Sequence, residues 1–195
     1  MPASANRREI TKAQNRETIL VAARQVFAQM GFAAATVRDV IRATPLASGT
    51  FYNYFKSKEE VYQALRDDRA LAVRPRLREA RQAANTTEEF LASGFRTFFL
   101  FVLENRTEVA PGAEVSHIRM DSPEVLTGFA ELREDISAAI ARGLLPAMDA
   151  DFLSAALTGV AFELADRVKA GADVDAATRF ATAIFLGGLP AAKTA

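Results

Sequence analysis

The stretch Thr36–Leu65, TVRDVIRATPLASGTFYNYFKSKEEVYQAL, decides the reading of this chain. Thr36 opens a short helix: its hydroxyl can cap free N–H groups, and Asp39 lies in the first turn, where a carboxylate suits the helix dipole. Val37, Val40 and Ile41 supply the inner face. Pro45 disfavours the α conformation at the residue before it, which sets a stop at Thr44. A second short helix is expected over Ala47–Tyr54. Ser57-Lys58-Glu59-Glu60 then reads as a capping box that opens a longer helix, running to about Arg74 before Pro75. Two short helices meeting at a tight turn, steadied by a preceding helix, form a helix-turn-helix unit.

That preceding helix is expected over Lys12–Met30. Ile19, Ala23, Val26, Phe27 and Met30 fall on one buried stripe, and Gly31 stands where a left-handed C-terminal cap belongs. The second short helix carries small or polar residues at its start: Ala47, Ser48, Gly49 and Thr50. Small residues let a backbone approach the major groove, and hydroxyls can bond to phosphates or base edges. Phe51 and Phe55 can face inward while Tyr52 and Tyr54 offer phenolic hydroxyls to phosphate. Read in isolation, an aromatic run such as FYNYF is more often core. Lys58 adds a cation beside the free N–H groups of the next helix, a ready phosphate site. Arg7, Arg8, Lys12 and Arg16 read equally as a DNA-grasping arm or as a solvated basic terminus.

Residues 14–65 resemble the DNA-binding domain of the TetR (tetracycline repressor) family. The hallmark is a G-T-F-Y-x-Y-F-x-S-K-E-E run, present here as Gly49-Thr50-Phe51-Tyr52-Asn53-Tyr54-Phe55-Lys56-Ser57-Lys58-Glu59-Glu60. The resemblance implies that Thr36, Arg38, Ser48, Thr50, Tyr52, Tyr54 and Lys58 contact DNA, with Gly49 admitting the close approach. Two positions depart from the pattern. Pro45 stands where the family usually has Gly, and Ala47 where it has Ser or Thr, so Ala47 removes a helix cap. The resemblance ends near residue 65.

Composition agrees with a chain that meets a polyanion at one end. The 195 residues carry 24 Lys+Arg against 24 Asp+Glu, a formal net charge of zero. Their distribution is uneven: residues 1–69 hold 11 basic against 7 acidic groups, and residues 70–195 hold 13 against 17. A basic head on an acidic body is the pattern expected of a DNA reader. Cys is absent, which excludes disulfides, thiolate metal sites and cysteine nucleophiles. His117 is the only histidine, so no metal site and no cofactor are implied. One His, no Cys and no convincing carboxylate pair argue against an enzyme. No apolar run reaches membrane-spanning length and the polar, basic N-terminus lacks a signal-peptide core, so no membrane partner and a cytoplasmic location are expected.

Beyond residue 65 the pattern stays helical. Capping signals place helices over about 87–105 and 122–142, the latter with Gly143 next, followed by two more near 150–170 and 175–188. Residues 107–121 read as a short helix broken at Pro111-Gly112 or as a loop. Phe95, Phe98, Phe99 and Val102 share one helix face. They read either as core or as the wall of an apolar pocket with Arg96, Arg106, His117 or Arg119 at its mouth. The last two helices carry small residues (Ala156, Gly159 and Gly187 among them) beside Val160, Phe180 and Ile184. They pack within one chain or, as the resemblance implies, form a four-helix bundle between two subunits. The expected architecture is all-α, with a three-helix helix-turn-helix domain at 1–65, its first 11 residues an irregular arm. A helical effector-binding and dimerisation domain follows at 66–195. The expected function is a homodimeric repressor released from a palindromic double-stranded DNA operator by an apolar small molecule. The rival is a helical lipophile-binding protein without regulatory DNA binding; loss of Tyr52, Tyr54 or Lys58 would have favoured it.

Overall fold

The computed structural model describes residues 3–105 and 122–188, and among these the chain forms eight helices and no strand. They are α1 (Ala3–Met30), α2 (Val37–Arg42), α3 (Ser48–Tyr52), α4 (Lys58–Ala83), α5 (Thr87–Glu104), α6 (Pro123–Ala141), α7 (Ala150–Lys169) and α8 (Val174–Gly188). The described residues fall into two compact units that divide between Asp68 and Arg69, within α4 and three residues beyond the expected boundary. Residues 107–121, with His117 and Arg119, lie outside the described residues, as does Arg106.

The first unit closes around Ile19, Leu20, Ala23 and Phe27 of α1, Val40 of α2, Phe51 of α3, Phe55, and Val61 and Leu65 of α4. Of the stripe expected on α1, Ile19, Ala23, Val26 and Phe27 are buried in this core, whereas Met30 is exposed. Gly31, at φ 78°, ends the helix in the left-handed conformation that only glycine adopts without strain. Residues 3–11 were expected to form an irregular arm, but α1 begins at Ala3. The reason is propagation: extending an existing helix fixes one residue per hydrogen bond gained, and no Gly or Pro interrupts residues 3–30.

The second unit packs α5 against α7 and α8, and α6 against α7. Phe95 stacks on Phe99 (ring centroids 6.0 Å apart) and on Phe185 of α8 (5.9 Å), while Phe98 meets Phe162 of α7 edge-on at 5.4 Å. Thr86, Ser122 and Asp149 cap α5, α6 and α7 through their side-chain oxygens, with Pro123 in the first turn of α6. One expectation fails here. Pro75 does not end α4, which continues to Ala83. Proline removes one helix hydrogen bond, but Pro75 and Leu71 are both exposed, so water can reach the carbonyl left without its donor.

What carries α4 past Pro75 is an ion ladder to α6. Arg74 pairs bidentately with Glu131, Arg78 reaches Glu131 and Glu134, and Arg81 pairs with Asp135 at 2.8 Å. Arg81 and Asp135 are both 6 % exposed, the most deeply buried charges among the described residues. Burial pulls the Arg81 guanidinium below its ordinary value, and the Asp135 hydrogen bond opposes that pull. At the half-buried Arg74–Glu131 pair the Arg74 hydrogen bond holds the Glu131 carboxyl below the usual range, and the same bond raises Arg74.

Candidate functional site

The helix-turn-helix is built by local hydrogen bonds. Thr36, the N-cap of α2, accepts from the Asp39 N–H at 3.3 Å, and its own N–H donates to the Asp39 carboxylate at 3.0 Å. These two bonds complete a capping box; the Thr36 hydroxyl also donates to the Asp39 carboxylate and is the main reason that carboxyl lies below its ordinary value, with the Thr36 N–H and, more weakly, Arg42 adding to it. In the turn, the Thr44 hydroxyl donates to the Ile41 carbonyl (2.8 Å) and accepts from the Leu46 N–H (3.3 Å). Thr44 thus closes the turn around the exposed Pro45, so glycine is not needed there.

The expected helix over Ala47–Tyr54 is shorter in fact, Ser48–Tyr52. Ala47 is its N-cap in extended conformation and contributes no side-chain bond; its carbonyl accepts from the Thr50 N–H at 2.8 Å. The aromatic run divides as expected at Phe51, Phe55 and Tyr52, but not at Tyr54. Phe51 (1 % exposed) and Phe55 (6 %) are core, Tyr52 stands 56 % exposed with its ring edge-on to Phe51, and Tyr54 is half-buried against the core. A Cβ at Gly49 would meet nothing within 4 Å among the described residues, so the helix surface is open at that position. Thr36, Arg38, Ser48, Gly49 and Tyr52 are exposed, Thr50 half-buried. Two short segments therefore present the guanidinium groups of Arg38 and Arg42, three hydroxyls from Thr36, Ser48 and Thr50, the Tyr52 phenol and an open glycine. That is a surface suited to phosphate oxygens and base edges.

Lys58 is placed differently from its neighbours. Its ammonium donates to the carbonyls of Phe32 (2.8 Å), Ala33 (3.1 Å) and Ala35 (3.0 Å), and lies 4.7 Å from the centroid of the Phe32 ring. All three ammonium protons are thereby used within the chain. The side chain joins the start of α4 to the loop that follows α1 and precedes Thr36. Lys56 is exposed and forms no ion pair among the described residues, although its backbone N–H donates to Glu60 at 2.7 Å. Of the N-terminal basic residues, Arg16 is tied to Asp68 (3.6 Å) and lies over the Phe55 ring, whereas Arg7, Arg8 and Lys12 are exposed on α1.

In the second unit, Phe95 and Phe99 are buried core, and Phe98 and Val102 are partly buried against it. Arg96 is exposed and pairs with Asp175 at 3.1 Å. A groove of about 510 Å³ lies elsewhere, between α6 and α7, walled by Leu126, Phe129, Ala130, Ala155 and Phe162. Ser154, Thr158 and the Arg133–Asp151 pair (3.3 Å) add its polar points, and none of its lining comes from α5. The sequence reading missed this groove, because its two walls come together only where α6 packs against α7. On α7 and α8, Ala156, Gly159, Phe180 (58 %), Ile184 (47 %) and Gly187 are exposed, and Val160 is half-buried. Phe152 at the start of α7 is 78 % exposed. A Cβ at Gly159, Gly187 or Gly188 would meet nothing within 4 Å. An apolar, small-residue face is thus left uncovered by the described residues of one chain. No helix among the described residues is long and apolar enough to cross a membrane.

Residues 19–65 match the sequence profile of bacterial regulatory proteins of the tetR family. The HTH-type transcriptional repressor KstR2 of Mycolicibacterium smegmatis is 43 % identical over 56 residues, which are 28 % of this chain and 27 % of that protein. The chain thus matches about a quarter of that curated relative's length. Over nearly the whole chain the fold resembles the fatty acid degradation regulator FadR from Bacillus halodurans, with TM-score 0.74 and 24 % identity. That alignment covers 89 % of this chain and 95 % of that one. It also resembles a FadR from Bacillus subtilis solved in complex with stearoyl-CoA, with TM-score 0.69 and 20 % identity, covering 88 % and 98 %.

Proposed function

We propose that this chain, a member of the TetR family through its N-terminal domain, is a homodimeric transcriptional repressor that an apolar small molecule releases from a palindromic DNA operator. The observation that carries the reading is the division of labour on α3. Phe51 and Phe55 anchor it in the core while Gly49 and Tyr52 face outward, beside Arg38 of α2. A five-residue helix has no stability of its own, so a surface of this kind persists only because its aromatic underside is buried. Arg38, Ser48 and Thr50 read base edges; Tyr52, Tyr54 and Thr36 hold phosphates.

The uncovered face of α7 and α8 supports the dimer. A two-fold interface uses the same patch on both subunits, and it pairs two recognition helices about one DNA turn apart, which makes the operator palindromic. The effector reading is supported by the apolar interior of the second unit and by a fold neighbour that holds stearoyl-CoA. A ligand releases DNA only if it binds better to the subunit arrangement that does not fit the operator.

Selection of duplexes from a random pool, followed by gel shifts at several salt concentrations, tests the reading. The expected product is an inverted repeat whose affinity falls steeply with salt. Failure to retain any duplex at low salt would sink it.

A further inference from the structure

We infer that the first turns of α1 make a second contact to DNA: Arg8 and Lys12 form a row of cations that grips the phosphate backbone just outside the half-site met by α3. The row is fixed by helix geometry. Residues four apart share one face of a helix, so Arg8, Lys12 and Arg16 lie in a single line along α1, about 12 Å long at 1.5 Å per residue. Its inner end is anchored beside α3. The Arg16 guanidinium lies 5.9 Å from the centroid of the Phe55 ring and pairs with Asp68 at 3.6 Å, and Phe55 stands three residues past the end of α3. Lys56, exposed next to Phe55, adds a further cation at that end. From there the row leads outward along α1 through Lys12 to Arg8.

Two observations separate this row from a solvated basic terminus. Residues 7–14 are exposed all round the helix, and Ile10, the one large apolar side chain among them, is 50 % exposed. A helix of that kind gains no packing energy, and like charges four residues apart weaken it further. Arg8–Lys12 and Lys12–Arg16 are two such pairs. The second observation is that only Arg16 has a counter-charge. Arg8 and Lys12 form no ion pair among the described residues, and Glu9, the one acid in residues 3–16, pairs with neither. Their repulsion is left for an anion from outside to relieve. A linear array of negative charge fits a linear row of cations. One DNA strand carries a phosphate every ~3.4 Å of axis, so the ~6 Å between Arg8 and Lys12 spans about two of them. The inference rests on the DNA-binding reading above and extends it to the duplex beyond the reach of α3.

The test uses the full chain and the duplex selected above in two lengths: the inverted repeat alone, and the repeat extended on each side by one DNA turn, roughly 10 base pairs. Affinity is measured against salt concentration for the wild type and for Arg8→Gln/Lys12→Gln. Both positions are exposed, so the melting profile should be unchanged. On the extended duplex the slope of log K against log salt concentration should become shallower by about 1.8 per bound subunit, about 0.9 for each phosphate no longer neutralised. On the trimmed duplex the variant and the wild type should coincide. Arg8→Lys/Lys12→Arg should keep the wild-type slope on both, because either cation neutralises a phosphate. An unchanged slope for the glutamine variant on the extended duplex overturns the inference and leaves the row to solvent or to another partner. An equal change on both duplexes also overturns it, by placing the cations within the half-site. Failure of the wild type to hold any duplex removes the DNA-binding reading and this inference together, whereas an operator bound with a slope indifferent to Arg8 and Lys12 removes the inference alone.

Discussion

Replacing Lys58 with methionine separates a phosphate ligand from a structural clamp. Methionine keeps most of the aliphatic stem over Phe32 and deletes the ammonium, which donates to three carbonyls at 2.8, 3.1 and 3.0 Å. Hydrogen bonds from a charged group contribute about 1.5–3 kcal/mol net, and the three bonds share one desolvated cation, so that range is applied once. The contact with the Phe32 ring adds about 0.5–1 kcal/mol. The first unit should therefore lose roughly 2–4 kcal/mol in urea denaturation. Operator affinity should fall as well, because the loop at Phe32–Ala35 leads directly into the Thr36 cap. The dependence of affinity on salt is the deciding measurement. Each phosphate neutralised by a cation contributes about −0.9 to the slope of log K against log salt concentration. Lys58→Met should leave that slope unchanged. Lys56→Met, which removes an exposed cation with no ion pair among the described residues, should make it shallower by about 0.9 per bound subunit. A shallower slope for Lys58→Met, with stability intact, would show that the ammonium faces DNA and that the clamp is not what the residue is for.

Three further outcomes are expected. Asp135→Leu leaves Arg81 buried without its partner and should cost about 3–5 kcal/mol, while Arg81→Met/Asp135→Leu together should recover most of it; denaturant melts of both variants decide, and an equal loss in the double variant refutes the pairing argument. The Glu131 carboxyl is held below its ordinary value of 4.5, chiefly by the Arg74 hydrogen bond, so the unfolded chain takes up that proton first. Its stabilisation is complete above that value and is lost as pH falls through the lower folded value; Glu131→Gln should flatten the stability profile in that acid range and nowhere else. Ile184→Glu places a charge on the uncovered face of α8, where the isolated chain tolerates it, so light scattering should show a dimer dissociating at least about 100-fold more readily with an unchanged melting profile of the separated subunits.

The resemblance visible in the sequence covers only the first unit, and the physical reason lies in how local its determinants are. The capping box at Thr36 and Asp39, the Gly31 cap and the inward Phe51 and Phe55 each act within four residues or along one helix face, so spacing alone reveals them. The limits of α5 to α8 were legible for the same reason. Propensity failed where a helix depends on what it packs against or extends. Pro75 would stop an isolated helix, yet α4 runs through it because arginines at 74, 78 and 81 meet acids on α6 more than fifty residues away. The role of Lys58 was equally out of reach. Its motif marks it as a cation at a helix start, and only the fold brings three carbonyls from beyond α1 within reach of its ammonium, 23 to 26 residues distant in sequence. The phenylalanines of α5 were recognisable as apolar, but which of them would be core and where a groove would open depended on the meeting of α6 with α7. Periodicity tells a helix which face to bury. What that face is buried against, and whether the fit is complete, is decided only when the helices are assembled.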